Sequence, residues 1–141
     1  MFRNILVAID LAEMNVAKPA IDQAVALAEQ SGGKLRLVNV QTLLPATFMD
    51  YVPADFDQEM KDNAEASLRK IAEEIALSKD LVSQVVRVGG VYPEILGEAD
   101  DWGADLIVVG SHRPAMSTYL LGSNAKTVVR HAKCSVLVVR Q

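Results

Sequence analysis

Apolar residues along the chain fall into two kinds of pattern that alternate from the N-terminus to the C-terminus. Short, nearly unbroken runs of Ile, Leu and Val occupy Ile5–Ile9, Leu35–Val40, Val82–Val88, Leu106–Val109 and Val136–Val139. Such runs predict strands covered on both faces, as in a parallel sheet. Between them, apolar residues return every three or four positions. Ala17, Ala20, Ile21, Ala24, Val25 and Ala28 form one helical stripe, stopped by Gly32-Gly33, and Met60, Ala64, Leu68, Ile71, Ala72 and Ile75 form a second. Pro93 suits a helix first turn, and Ile95, Leu96, Ala99 and Trp102 follow it before Gly103. Ala125, Val128, Val129 and Ala132 make the fourth stripe.

Strict strand–helix alternation predicts one doubly wound α/β domain spanning residues 1–141. Its five-stranded parallel sheet has helices on both faces, and the order 3-2-1-4-5 is the arrangement assumed for it. One segment escapes the pattern, Thr42–Asp55, which is read as irregular: either a functional cover or a surface excursion.

A chain of 141 residues, half of them hydrophobic, can bury one proper core. The net charge of −4 argues against nucleic acid and anionic lipid surfaces as partners, leaving small molecules and proteins. The opening "MFRNILVAID" does not read as a secretory leader, and no apolar stretch reaches the ~18–20 residues of a membrane helix. Cys134 is the single cysteine, so no intrachain disulfide forms, and a reducing cytoplasm is the expected location.

In a sheet of this order, ligands bind beyond the carboxyl ends of the strands, where the winding reverses between the first and fourth strands. Asp10 and Val109-Gly110 end those strands. "GSHRPAMSTYLLGS", residues 110–123, follows the fourth. Gly110 is expected to leave the strand in a backbone conformation closed to other residues and to let backbone approach a ligand. Gly122-Ser123-Asn124 opens the last helix, whose free amides favour an anion. His112 adds a switchable donor and Arg113 a fixed forked cation. The stretch is neither a Walker loop nor the dinucleotide Gly-x-Gly-x-x-Gly. Two readings stand side by side: a phosphate held from both ends, or a Ser123 helix cap beside ordinary loop residues. Asp10 is likewise either a ligand for a ribose hydroxyl or adenine amine, or, with Glu13, a cap on the following turn. Val40 is either core or a source of backbone groups for a base edge.

"NILVAID", "ADLIVVGSH" and "LLGSNAKTVVRHAKCSVLVVR" resemble the universal stress protein family, with the last thirty or so residues the most specific. The resemblance implies a commonly dimeric domain of this fold that binds adenine nucleotide. It implies that Ala8, Ile9 and Asp10 meet the nucleoside, Val40 the base edge, Val109 and Gly110 the loop entry, and Gly122 and Ser123 the phosphates, with Asn124 the nucleotide-site residue that follows that pair. The family's ATP-binding members carry a second glycine where this chain has Arg113, and eight residues rather than nine separate that position from Gly122. Ser-His-Arg-Pro resembles a branch that still binds ATP, with Arg113 supplying charge pairing to phosphate.

The reading is therefore a stress-response protein that binds ATP, with or without Mg²⁺, as a conformational or partner-binding signal. The alternatives are a slow ATPase or phosphotransfer protein using His112 and Arg113, and a nucleotide-free dimeric interaction module. No catalytic residue and no direct metal ligand is assigned. The basic residues Lys126, Arg130, His131 and Lys133 are read as complementing a helix dipole, and Cys134 as a structural thiol. The charge run from Glu59 to Glu74 is read as a solvated helix face. The final strand, an apolar sheet edge, predicts a homodimer by antiparallel pairing through Val136 and Val138.

Overall fold

The computed structural model describes residues 1–43, 46–111 and 123–140. Five parallel strands, β1 (Asn4–Ala8), β2 (Lys34–Gln41), β3 (Val82–Val88), β4 (Leu106–Gly110) and β5 (Ser135–Val139), form one sheet of order β3-β2-β1-β4-β5. Four α-helices connect them: α1 (Met14–Ser31), α2 (Phe56–Glu74), α3 (Val91–Trp102) and α4 (Ser123–His131). This is the doubly wound architecture expected from the alternation, and each expected strand lies within one residue of its observed position.

The apolar runs are unbroken because both sheet faces are covered. Ile5, Leu6 and Val7 of β1 are fully buried, yet they serve two cores. Ile5 and Val7 join Leu35, Leu37, Leu106 and Val108 beneath α1 and α2, whereas Leu6 joins Val38, Ile107 and Val109 beneath α3 and α4. The buried stripe of α1 is mostly alanine, Ala17, Ala20, Ala24 and Ala28, which brings its axis close to the sheet. Gly32 and Gly103 end α1 and α3 at φ 67° and 80°, the left-handed conformation that glycine adopts most readily.

Two details depart from expectation. Met60 belongs to the expected apolar stripe of α2 but is 42% exposed, and the helix packs through Ala64 and Leu68 instead. The segment read as irregular contains a 3₁₀ helix at Ala46–Tyr51.

A polar clasp joins α3 to the sheet. Arg87 of β3 donates to Glu94 (2.8 Å), Glu98 (3.1 Å) and Asp101 (3.4 Å), while Arg36 of β2 donates to Glu98 at 2.9 Å. The Arg36 guanidinium also lies 4.8 Å from the Trp102 ring centroid. Hydrogen bonds to Glu94, and secondarily to Glu98 and Asp101, hold the Arg87 guanidinium above its ordinary pKa despite an opposing desolvation effect.

Candidate nucleotide crevice

Strands β1 and β4 connect to elements on opposite sides of the sheet, so a crevice opens beyond their carboxyl ends. β1 leaves through Ile9 and Asp10 into a tight turn. Ala12 donates its N–H to Asp10 Oδ1 at 2.9 Å, and the Glu13 N–H reaches the Asp10 carbonyl at 3.0 Å. β4 leaves through Gly110 to Ser111, whose N–H donates to the Val139 carbonyl at 2.8 Å. α3 and α4 close the crevice from the side. The result is a cavity of about 590 Å³, within the range of roughly 300–1,000 Å³ common for small-molecule sites.

Seven of the expected residues, Ala8, Ile9, Asp10, Val40, Val109, Gly110 and Asn124, line this one cavity. Ser123 is the first residue of α4. His112, Arg113 and Gly122 lie outside the described residues, as does the Ser123 side chain.

The expectation for Gly110 needs correction. Its backbone φ is not positive, so no conformation closed to other residues is in use. The glycine instead admits α1: a Cβ there would lie 2.6 Å from Val16 Cγ1 and 2.7 Å from the Val16 carbonyl oxygen. For Asp10 the capping role is realised by one carboxylate oxygen, while the residue remains exposed at the cavity wall. Glu13 makes no side-chain cap.

Several wall residues were not singled out from the sequence. Val91 and Ile95 of α3 and Val128 of α4 supply apolar surface, which strand and helix periodicity marks only as core. Thr42 and Asn39 are polar, and Asn39 is 4% exposed. A buried amide at the end of an apolar strand was the available signal. The described wall carries two carboxylates, Asp10 and Glu13, and no Lys, Arg or His. No acidic residue sits in the first turn of α4.

Residues 1–140 of the 141 match the family model "Universal stress protein family". The chain belongs to the universal stress protein family. It is 35% identical to Universal stress protein G of Escherichia coli O157:H7, over 99% of this chain and 100% of that one. Universal stress protein UspA from Lactobacillus plantarum has the same fold, with a TM-score of 0.80 at 24% identity, covering 98% of this chain and 97% of that one. A family protein from Arabidopsis thaliana with AMP bound superposes with a TM-score of 0.67 at 19% identity, covering 99% and 92%.

Elsewhere, this family member offers little that competes with the crevice. A second cavity of about 120 Å³ near the amino ends of β4 and β5 is lined by Leu96, His131, Lys133 and Cys134 among others. Burial pushes the Cys134 thiol up, which disfavours the nucleophilic thiolate. Lys133 faces Asp100 at 3.5 Å, and Arg130 and His131 occupy the last turn of α4, where they complement its dipole. Among the described residues, no group of three or more His, Cys, Asp or Glu is placed to hold a metal, and no helix is long and apolar enough to cross a membrane.

Proposed function

We propose that this stress protein binds an adenine nucleotide, with ATP as the working ligand, in the crevice beyond β1 and β4, and that occupancy signals to a partner in the cytoplasm. The single observation that carries this reading is the convergence of Ala8, Ile9, Asp10, Val40, Val109, Gly110 and Asn124 on one cavity. The charge distribution supports an orientation. A wall with carboxylates and no described cation suits the hydroxyl-bearing nucleoside, with Asp10 accepting from ribose. The anionic tail belongs at the start of α4, where unpaired amides and the helix dipole favour negative charge. His112, Arg113, Gly122 and Ser123 are assigned to that tail. Mg²⁺, where present, would neutralise phosphate charge and is assigned to the nucleotide itself. The AMP-bound Arabidopsis relative supports adenine as the base.

Calorimetric titration with ATP and AMP tests the proposal. Saturable heat with one site per chain is expected, and Asp10→Ala should weaken both ligands by about tenfold or more, tenfold being the lower end for losing a hydrogen bond to a charged group. No heat at millimolar nucleotide would remove binding as the function.

We also propose a homodimer through β5. Val139 accepts from Ser111, so the alternation of a parallel ladder turns the N–H and C=O of Val136 and Val138 away from β4, off the open edge of the sheet. Val138→Pro removes one outward N–H without breaking a bond to β4. Sedimentation should show a dimer for the wild type and a monomer for this variant. A wild-type monomer at micromolar concentration would refute the pairing.

A further inference from the structure

The ladder between β1 and β2 stops one bond early, and a side chain takes the missing place. Even-numbered residues of β2 pair with β1: the Lys34 N–H donates to the Arg3 carbonyl at 2.8 Å, and the Val38 carbonyl accepts from the Ile9 N–H at 2.8 Å. Odd-numbered residues face β3, as the Gly89 N–H to the Gln41 carbonyl at 3.0 Å shows. Continued by one step, the pattern would carry the Val40 N–H to the Ile9 carbonyl. That bond is not made. Asn39 Nδ2 donates to the Ile9 carbonyl instead, at 2.8 Å. Gln41 Nε2 donates to Asn39 Oδ1 at 2.6 Å, which fixes the amide with its nitrogen toward Ile9.

Val40 is left with its N–H and its C=O both turned toward the side where β1 has ended, and among the described residues neither has a backbone partner. Val40 and Asn39 both line the cavity. Val40 is half-buried at the cavity wall, and a backbone donor and acceptor side by side there can be met by a ligand edge that presents an acceptor beside a donor. Adenine has that edge, with ring N1 accepting and the exocyclic amine donating. Hypoxanthine inverts it, with N1–H donating and O6 accepting.

We infer that Asn39 is a positioning residue for base selection: by occupying the Ile9 carbonyl it keeps the Val40 peptide groups open to an adenine edge. The inference rests on the nucleotide reading above but makes a claim about the ligand-free protein as well. Without the Asn39 amide, the Ile9 carbonyl is free to take the Val40 N–H, closing the ladder and withdrawing the donor that adenine needs.

The test combines amide hydrogen exchange with affinities for AMP, IMP and ribose 5-phosphate, in the wild type, Asn39→Leu and Gln41→Ala. In ligand-free wild type, the Val40 amide should exchange quickly relative to Val38 and become protected on adding AMP. Asn39→Leu should protect Val40 without ligand, weaken AMP about five- to tenfold and erase most of the preference for AMP over IMP, a change of one neutral hydrogen bond. Ribose 5-phosphate affinity should stay the same. Gln41→Ala, which only loosens the Asn39 amide, should give a smaller change in the same direction. A Val40 amide already protected in ligand-free wild type would overturn the inference, as would equal weakening of all three ligands. If none of them binds, the nucleotide reading fails while the ligand-free exchange still decides whether Asn39 frees Val40.

Discussion

Gly110→Ala is expected to lower the unfolding free energy by about 2–3 kcal/mol, toward the upper end for overpacking in a well-packed core. The added Cβ would meet Val16 at 2.6 Å from Cγ1 and 2.7 Å from the carbonyl oxygen. A rotamer change can move Cγ1, but the carbonyl belongs to the α1 backbone. Relief therefore requires shifting α1, whose Ala17, Ala20, Ala24 and Ala28 face is buried within the core. Because the Asp10–Glu13 turn feeds directly into α1, the same shift should weaken nucleotide binding. Urea unfolding checks the first effect, and the double variant Gly110→Ala with Val16→Ala checks its origin. The double variant should recover only part of the loss, because the carbonyl contact persists. Wild-type stability for Gly110→Ala would show that α1 yields freely at this point.

Arg87→Met should cost about as much, roughly 2–3 kcal/mol, because it breaks a partly buried charge network while leaving the acids in place. Glu98 has a side chain only 7% exposed and would keep Arg36 as its sole cationic partner among the described residues, and Glu94 and Asp101 would lose the Arg87 contact. An exposed pair gives the comparison: Lys18 and Asp22, with side chains 74% and 64% exposed, should contribute less than about 0.5 kcal/mol. The pH dependence has a definite sign. Folding raises the Arg87 pKa, so its contribution is fully present below the ordinary guanidinium range and fades only as pH rises through the higher folded value. Between pH 5 and 9 the Arg87 guanidinium itself should therefore add no slope to the stability curve. Chemical denaturation of Arg87→Met and of Lys18→Met across that range checks magnitude and sign together. Loss of less than 1 kcal/mol would make the clasp no more than a surface arrangement.

Strand and helix placement were legible in the chain, because a parallel sheet buried on both faces leaves continuous Ile, Leu and Val runs, whereas the strand order that locates the crevice was taken from the doubly wound arrangement and not from any local pattern. Helix ends were legible at Gly32 and Gly103, where the left-handed conformation demands glycine. Gly110 shows the limit of such reading. A glycine marks that something comes close, and at Gly110 one such neighbour is Val16 of α1. The clasp escaped notice because Arg36, Arg87 and Glu98 meet only after β2, β3 and α3 are assembled, across sequence separations that no local pattern records. Asn39 escaped for a related reason: its partner is a backbone carbonyl on another strand, and the consequence falls on the neighbouring Val40, whose side chain carries no trace of it.

The proposed function depends on an adenine nucleotide occupying the crevice between the diverging ends of β1 and β4. Titrating AMP into the isotopically labelled protein while following backbone amide resonances tests it residue by residue. Saturable shifts should centre on Ile9, Asp10, Val40, Gly110 and Asn124, with the amino-end residues Leu96, Lys133 and Cys134 undisturbed. Shifts confined to that amino end, or none at millimolar AMP, would contradict it.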